Sequence, residues 1–155
     1  MKAGAIQRLT IHRIAERLSA ARGRRPATGH ALLGLTDFDD VIGHPVVGGS
    51  WEGWVIENLL AVAPPATQAY FYRSSAGAEI DLVLELPKRQ RWAIEVKRTS
   101  APAASRGLHI AATDLKASQR FVVHAGNESF PLAHGVRATT LADLQRALVE
   151  LGPSR

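Results

Sequence analysis

Charged residues interrupt two apolar, strand-like runs between Ala78 and Arg98. Asp81 lies inside the first run, EIDLVLEL, and Glu95 and Lys97 lie inside the second, WAIEVK. Two carboxylates held close together repel each other unless a cation stands between them, and a divalent metal with oxygen ligands is such a cation. A metal of this kind lowers the pKa of a bound water, and a nearby lysine can orient that water or stabilise developing negative charge. The residue types therefore match metal-dependent hydrolysis of a phosphodiester.

The three charged residues meet only if the two runs pair as a hairpin in one particular register, because side chains alternate along a strand. The alternation predicts a continuous apolar face on the first strand, formed by Ile80, Leu82, Leu84 and Leu86. A three-residue loop pairs Pro87 with Arg91. In that register Asp81 faces Lys97 and Glu95 lies one pleat away, whereas a two-residue turn places the carboxylates on opposite faces.

A hairpin without chemistry is the alternative. In that case Asp81 and Lys97 form a cross-strand pair that contributes about 0.2–1 kcal/mol. The spacing D-x13-E-x-K is common in unrelated sequences, so spacing alone leaves both interpretations open.

Helices and strands predicted along the rest of the chain would position this hairpin. Apolar spacing and caps predict a helix over 9–21, a short helix in TDFDDVIGHP, and a helix from Ser50 to the prolines at 64 and 65. The apolar stripe of the third helix consists of Trp51, Trp54, Val55, Leu59 and Val62. Further strands are predicted in AYFYR, RFVVHAG, FPLA and GVRATT, and further helices in LHIAATDLKA and, capped by Thr140, in TLADLQRALVEL.

The lengths of the connections predict the fold class. Short turns at 74–77 and 87–90 force antiparallel neighbours. We therefore predict an α/β fold with a mixed β-sheet flanked by helices, in the order αβββαβ.

Composition limits the classes of protein. The chain has 155 residues, 46% of them hydrophobic, which fits one domain with a buried core. Cysteine is absent, which excludes disulfides and thiolate chemistry, and no two of the six histidines have the helical spacing of a zinc site. No run reaches the roughly 18 apolar residues of a membrane span, and no signal-peptide pattern follows Met1. We therefore expect a cytoplasmic protein that does not enter a membrane.

The net charge of +5 originates at the N-terminus. The first 30 residues contain seven basic residues and one acidic residue, and the remaining 125 contain twelve and thirteen. We therefore divide the chain into a basic N-terminal arm or helix, residues 1–29, and a domain of residues 30–155. A basic arm can bind nucleic-acid phosphates, or it can be a solvated helix without a partner.

The D…E-x-K arrangement on a hairpin within this order of elements resembles the PD-(D/E)xK, or restriction-endonuclease-like, superfamily. The segments LLGLTDFDDVIGHPVVGGSWEGWVIENLL, YFYRSSAGAEIDLVLE and WAIEVKR resemble, more closely, the C-terminal domain of unknown function in bacterial two-domain AAA+ ATPases. The resemblance extends from His30 to the C-terminus. It implies a restriction-endonuclease-like core and a nuclease-like activity on nucleic acid.

The resemblance also implies roles for individual residues. Asp81 and Glu95 would bind a Mg²⁺ or Mn²⁺ ion, and the backbone carbonyl of Val96 would be a further ligand. Lys97 would assist the attacking water. Glu57, on the first core helix, would complete the site.

The chain departs from that family in one motif. No G-x-x-x-x-G-K-[ST] loop is present, so we predict no nucleotide-hydrolysis site and consider a truncated or split gene product with an unrelated arm. Three hypotheses follow: a metal-dependent nuclease, a non-catalytic binding or regulatory module on a nuclease-like scaffold that contacts an ATPase or another protein, and a remnant without activity. Trp51 or Trp54 would serve a homo-oligomer contact if exposed, although core packing is predicted for both. Arg73 and Glu79, beside the preceding turn, are expected to form a salt bridge and not to act in catalysis.

Overall fold

A computed structural model describes residues 5–7 and 45–152, with side chains from Trp51 onward. The predicted helices over 9–21 and in TDFDDVIGHP, and the boundary between arm and domain at residue 29, lie outside the described residues. The described residues include the whole predicted site.

The described strands form one mixed sheet. They are β1 (Ala5–Gln7), β2 (Gln68–Arg73), β3 (Glu79–Leu86), β4 (Gln90–Lys97), β5 (Gln119–His124), β6 (Phe130–Pro131) and β7 (Arg137–Thr139). Their order in the sheet is β1-β2-β3-β4-β5-β7-β6. The first four are antiparallel neighbours, and β4, β5 and β7 are parallel. The predicted α/β fold with a mixed sheet is confirmed.

Three described helices cover the sheet: α1 (Pro45–Val62), α2 (Arg106–Asp114) and α3 (Leu141–Glu150). The N-terminal caps of α2 and α3 are side-chain oxygens, because Ser105 Oγ accepts from Leu108 N–H and Thr140 Oγ1 accepts from Asp143 N–H, both at 3.1 Å. The Thr140 cap was predicted. None of the described helices is long and apolar enough to span a lipid bilayer.

Helix α1 begins five residues earlier than the predicted start at Ser50. Its first residue, Pro45, suits that position because the fixed φ of proline is helical and its missing N–H is not needed in the first turn. The prediction therefore placed the start of this helix too late in the sequence.

The sheet separates two hydrophobic cores, each closed by different helices. One face packs against α1 and α3 through Val55, Ile56, Leu59, Leu82, Leu84, Leu86, Trp92, Ile94, Phe121, Val123, Leu144 and Leu148. The opposite face packs against α2 through Tyr70, Tyr72, Ile80, Val83, Ala93, Leu108, Ala111, Ala112, Val122 and Val136. Burying both faces of the sheet makes it the middle of three layers.

Trp54 does not belong to the buried stripe of α1. It is 47% exposed and stacks on Trp51, with ring centroids 5.4 Å apart. The buried residues of α1 are Val55, Ile56 and Leu59, and Trp54 lies to one side of them. Core packing was predicted for Trp54 and is wrong, whereas Trp51 packs against the core.

A β-bulge interrupts β3 at Asp81. Tyr70 pairs with Val83 and Tyr72 pairs with Ile80, so two residues of β3 lie opposite one residue of β2. The bulge breaks the alternation of side chains, and Ile80 therefore packs against α2 while Leu82 packs on the α1 side. The predicted continuous face was wrong at Ile80.

The loop between β3 and β4 has three residues, which is the predicted odd number, but it begins one residue earlier than predicted. The connection is the three-residue 3-10 turn Pro87–Arg89, and Leu86 pairs with Gln90. The predicted pairing of Pro87 with Arg91 is therefore wrong. Because the last regular pair joins Leu82 to Ile94, the next position level with Asp81 is Glu95 and not Lys97.

Candidate active site

Asp81 lies where the regular β3–β4 pairing stops. Its Oδ2 accepts a hydrogen bond from the backbone N–H of Val96 at 2.7 Å. The N–H and C=O of one residue in a strand point to the same side. The Val96 carbonyl is therefore directed toward β3 as well, on the side that carries Asp81.

The surroundings of Asp81 raise its pKa to about 6. Burial is the largest cause, and the carboxylates of Glu52, Glu95 and Glu79 raise the pKa further, while the Val96 hydrogen bond lowers it. The neighbouring charges that shift this pKa are thus all negative. A cation bound at Asp81 would relieve that repulsion.

Glu95 is held between a lysine and the start of a helix. It is only 9% exposed, and its Oε1 lies 3.3 Å from Lys97 Nζ. Its Oε2 accepts the backbone N–H of Ser105, the cap residue of α2, at 3.0 Å. The N-terminus of a helix carries partial positive charge, so both neighbours stabilise the ionised carboxylate.

Gly107 allows α2 to begin this close to the strands. A Cβ atom at Gly107 would lie 2.8 Å from the backbone oxygen of Glu79, which is too close for any other residue without a shift. The absence of a side chain therefore lets the first turn of α2 rest on the backbone of β3. This contact brings Ser105 to Glu95.

Glu52 of α1 is a helix carboxylate that raises the pKa of Asp81. Glu52 lies three residues before Val55 and seven before Leu59, so it continues the buried stripe of α1. Glu57 lies two residues from each and is off that stripe. Glu52 was not predicted from the sequence, although helical spacing from the buried residues identifies it.

Two further predicted residues form an ion pair at the edge of this region. Arg73 Nη2 lies 2.8 Å from Glu79 Oε1, and both side chains are exposed. The predicted salt bridge is confirmed.

His124 lies beside Lys97 on the neighbouring strand and is buried. Its Nδ1 accepts the N–H of Gly126 at 3.0 Å, so its Nε2 carries the proton and donates to the Glu128 carbonyl, also at 3.0 Å. Both ring nitrogens are used in holding the following loop. His124 therefore has a structural role next to the site.

The donor atoms of the site match a hard divalent cation. Within residues 51–152 no three histidine, cysteine, aspartate or glutamate side chains stand close enough together to form a metal cage. Mg²⁺ usually takes one or two carboxylates and fills its other positions with water and substrate phosphates. Asp81 and Glu95, with the carbonyl of Val96, the residue that follows Glu95, supply that kind of oxygen donor set, and the negative charge around Asp81 favours a cation. The residues present fit Mg²⁺ or Mn²⁺.

The chain belongs to the family described as Domain of unknown function (DUF4143), which matches residues 47–144. This segment contains the bulge, both carboxylates and the lysine.

Uncharacterized proteins of Mycobacterium bovis and Mycobacterium tuberculosis are each 39% identical to the chain over 109 residues. The aligned segment covers 70% of this chain but 24% of each relative, so the chain spans about a quarter of the length of these proteins. No solved structure is significantly similar to the chain. The resemblance to PD-(D/E)xK nucleases stays a prediction.

Proposed function

We propose that this domain is a metal-dependent nuclease that hydrolyses phosphodiester bonds of nucleic acid. The observation that carries the proposal is the meeting of Asp81 and Glu95 from neighbouring strands, with Lys97 Nζ 3.3 Å from Glu95. The order α1, β2, β3, β4, α2, β5 supports a restriction-endonuclease-like core, because this order brings D and E-x-K onto adjacent strands.

Each residue has a defined part in this proposal. Asp81 and Glu95 would hold Mg²⁺ or Mn²⁺ together with the Val96 carbonyl. A divalent ion at such a site polarises a phosphoryl oxygen and lowers the pKa of a bound water. Lys97, whose Nζ lies 3.3 Å from Glu95 Oε1, orients the attacking water and stabilises charge on the phosphoryl oxygens.

The bond changes are those of hydrolysis. The water oxygen bonds to phosphorus while one ester P–O bond breaks. The proton lost by the water reaches the leaving oxygen through solvent, so the products are a phosphate monoester and a hydroxyl group. Glu52 raises the pKa of Asp81 and so tunes the site without touching substrate.

A non-catalytic binding or regulatory module is the second candidate. One observation favours it: the two carboxylates already accept hydrogen bonds from Val96 and Ser105, and Lys97 is already paired. A satisfied polar network can persist as structure without a ligand.

Cleavage assays distinguish the two candidates. Purified protein is incubated with plasmid and with single-stranded DNA, with and without Mn²⁺, alongside Lys97→Ala and Asp81→Asn. Metal-dependent cleavage by the wild type and its loss in both variants supports the nuclease. Equal cleavage by wild type and variants indicates a contaminant, and no cleavage together with no Mn²⁺ binding at millimolar metal supports the module.

A further inference from the structure

Arg98 follows Lys97 directly at the end of β4 and has an unpartnered guanidinium nitrogen. Its Nη1 is buried and forms no hydrogen bond. A buried donor without an acceptor loses its hydration without compensation, and the loss is larger for a charged group. A side chain in this state is suited to an acceptor that arrives with a ligand.

Basic side chains of the neighbouring strands contrast with Arg98. Lys97 is paired with Glu95, Arg73 with Glu79, and Arg91 with Glu85. Arg98 forms no ion pair with any carboxylate of the described residues, although Asp81 lies near other carboxylates that raise its pKa. The guanidinium is therefore not the counterion of the carboxylate site.

A phosphate group matches the unpartnered guanidinium. The guanidinium fork binds phosphate oxygens through two parallel hydrogen bonds, and arginine is the residue most suited to this geometry. A nucleic-acid backbone that approaches Asp81 and Glu95 also meets repulsion from their negative charge. A cation beyond the paired Lys97 would offset that repulsion.

We infer that Arg98 binds a backbone phosphate of nucleic acid adjacent to the phosphodiester at the carboxylate site. Arg98 is then a positioning residue, because it holds the strand in place and takes no part in the bond changes. Arg98 is partly exposed as a whole residue, so part of its side chain reaches solvent although Nη1 is covered. The inference rests on the proposed function, since it takes the substrate class from it.

Equilibrium binding in EDTA tests the inference without any cleavage. Fluorescence anisotropy is measured for fluorescein-labelled 12-nucleotide single strands and 12-base-pair duplexes, with the full chain as wild type, Arg98→Ala, Arg98→Lys and Arg89→Ala. Arg89 is an exposed arginine in the turn at the opposite end of β4, about 25 Å away at 3.3 Å per residue. The N-terminal basic residues are present in every variant, so their contribution cancels.

Arg98→Ala is expected to bind about tenfold more weakly, with the slope of log K against log salt reduced by about 1. Arg98→Lys should restore the slope and only part of the affinity, because it keeps the charge and loses the fork. Arg98→Ala should melt at the wild-type temperature or above, since it removes an unsatisfied donor. Equal effects of Arg98→Ala and Arg89→Ala on binding, or a clearly lower melting temperature for Arg98→Ala alone, would overturn the inference.

The binding and cleavage results separate the two proposals. Loss of affinity in Arg98→Ala together with an absence of metal-dependent cleavage in the wild type leaves Arg98 as a phosphate-binding residue and rejects the nuclease. Metal-dependent cleavage that requires Lys97, with wild-type affinity in Arg98→Ala, rejects the role of Arg98 alone.

Discussion

The two ends of the β3–β4 hairpin both carry carboxylates and basic residues, but the charges are balanced differently at each end. At the turn end, Glu85 lies directly opposite Arg91 and is ion-paired with it, and Tyr70 Oη donates to Glu85 at 3.1 Å. Arg91 also donates to the Leu115 carbonyl at 2.6 Å. Glu85 and Arg91 thus each have an opposite charge and a further hydrogen-bond partner, which is what stability alone requires.

At the open end, formed by Asp81, Glu95 and Lys97, the charges do not balance. One lysine accompanies two carboxylates, and the charges that act on Asp81 are carboxylates. A protein that placed these residues for stability alone would avoid this arrangement, because a raised carboxylate pKa means that the ionised form is destabilised. This difference between the ends is the reason why we propose the open end as the site.

Removing the charge of the open end should abolish activity, and removing that of the turn end should not. We expect Lys97→Ala and Asp81→Asn to lower metal-dependent cleavage by at least about 100-fold, because each loses a group that acts on the water or its cation. Arg91→Ala should cleave at nearly the wild-type rate. Rates are measured on plasmid DNA with Mn²⁺, and a comparable loss in Arg91→Ala would show that the two ends are not functionally different.

Asp81→Asn should also make the protein more stable at neutral pH. The folded pKa of Asp81, about 6, exceeds its ordinary value of 3.8, so stability is full below about pH 4 and falls as pH rises through 6. The shift corresponds to at most about 3 kcal/mol, and asparagine keeps an acceptor for Val96 N–H.

Urea unfolding of wild type and Asp81→Asn at pH 4 and pH 7.5 measures this effect. The stability gain should be present at pH 7.5 and nearly absent at pH 4. Mn²⁺ should raise the melting temperature of the wild type and not that of the variant. Equal stability of the two proteins at both pH values would contradict the unbalanced charge at the open end.

Neutralising the carboxylate at the turn end should lower the stability of the protein, whereas Asp81→Asn should raise it. Glu85→Gln leaves the half-buried Arg91 without its counterion, so we expect a loss of about 1 kcal/mol in the free energy of unfolding at pH 7.5. The same urea measurement detects it. A gain in stability in Glu85→Gln would remove the distinction drawn between the two ends.

The smallest expected effect concerns Glu52. Glu52→Gln removes one of the carboxylates that raise the pKa of Asp81, so the pH at which protons displace Mn²⁺ should fall by a fraction of a unit. Glu57→Gln is the matched control on the same helix and should leave that pH unchanged. Calorimetric titration with Mn²⁺ between pH 5 and pH 7.5 measures this pH for both variants. A shift in Glu57→Gln with none in Glu52→Gln would indicate that Glu57, and not Glu52, acts on the site.

Much of the fold followed from local patterns, and the departures arose where distant segments meet. Alternation and turn residues predicted the strands of the hairpin, and Thr140 predicted the start of α3. The bulge at Asp81 could not be predicted, because it is a mismatch in pairing with β2 and not a property of β3 alone. The register was missed for a related reason: the turn starts at Pro87, which cannot donate to the ladder, and not one residue later.

For the candidate site, the sequence predicts the types of residue better than their arrangement in space. Asp81, Glu95 and Lys97 carry charge inside apolar strands, which sequence displays directly. Glu52 required knowledge of which side of α1 faces the sheet, and this depends on the packing of Val55 and Leu59. The state of Arg98 depends on the absence of a partner in three dimensions, which no sequence pattern reveals.

The bulge also limits how the length of this chain can change. Deleting one residue between Ile80 and Val83 would remove the bulge and restore regular pairing with β2, with Ile80 still on the α2 face opposite Tyr72. The deletion would, however, remove either Asp81 or Leu82, and an Asp81 that remained would take the place of Leu82 opposite Ile94 and lose its position relative to Val96. The loops around 64–67 and 99–104 have no such constraint. Length variation in related chains should therefore collect in those loops, while the number of residues in β3 stays fixed.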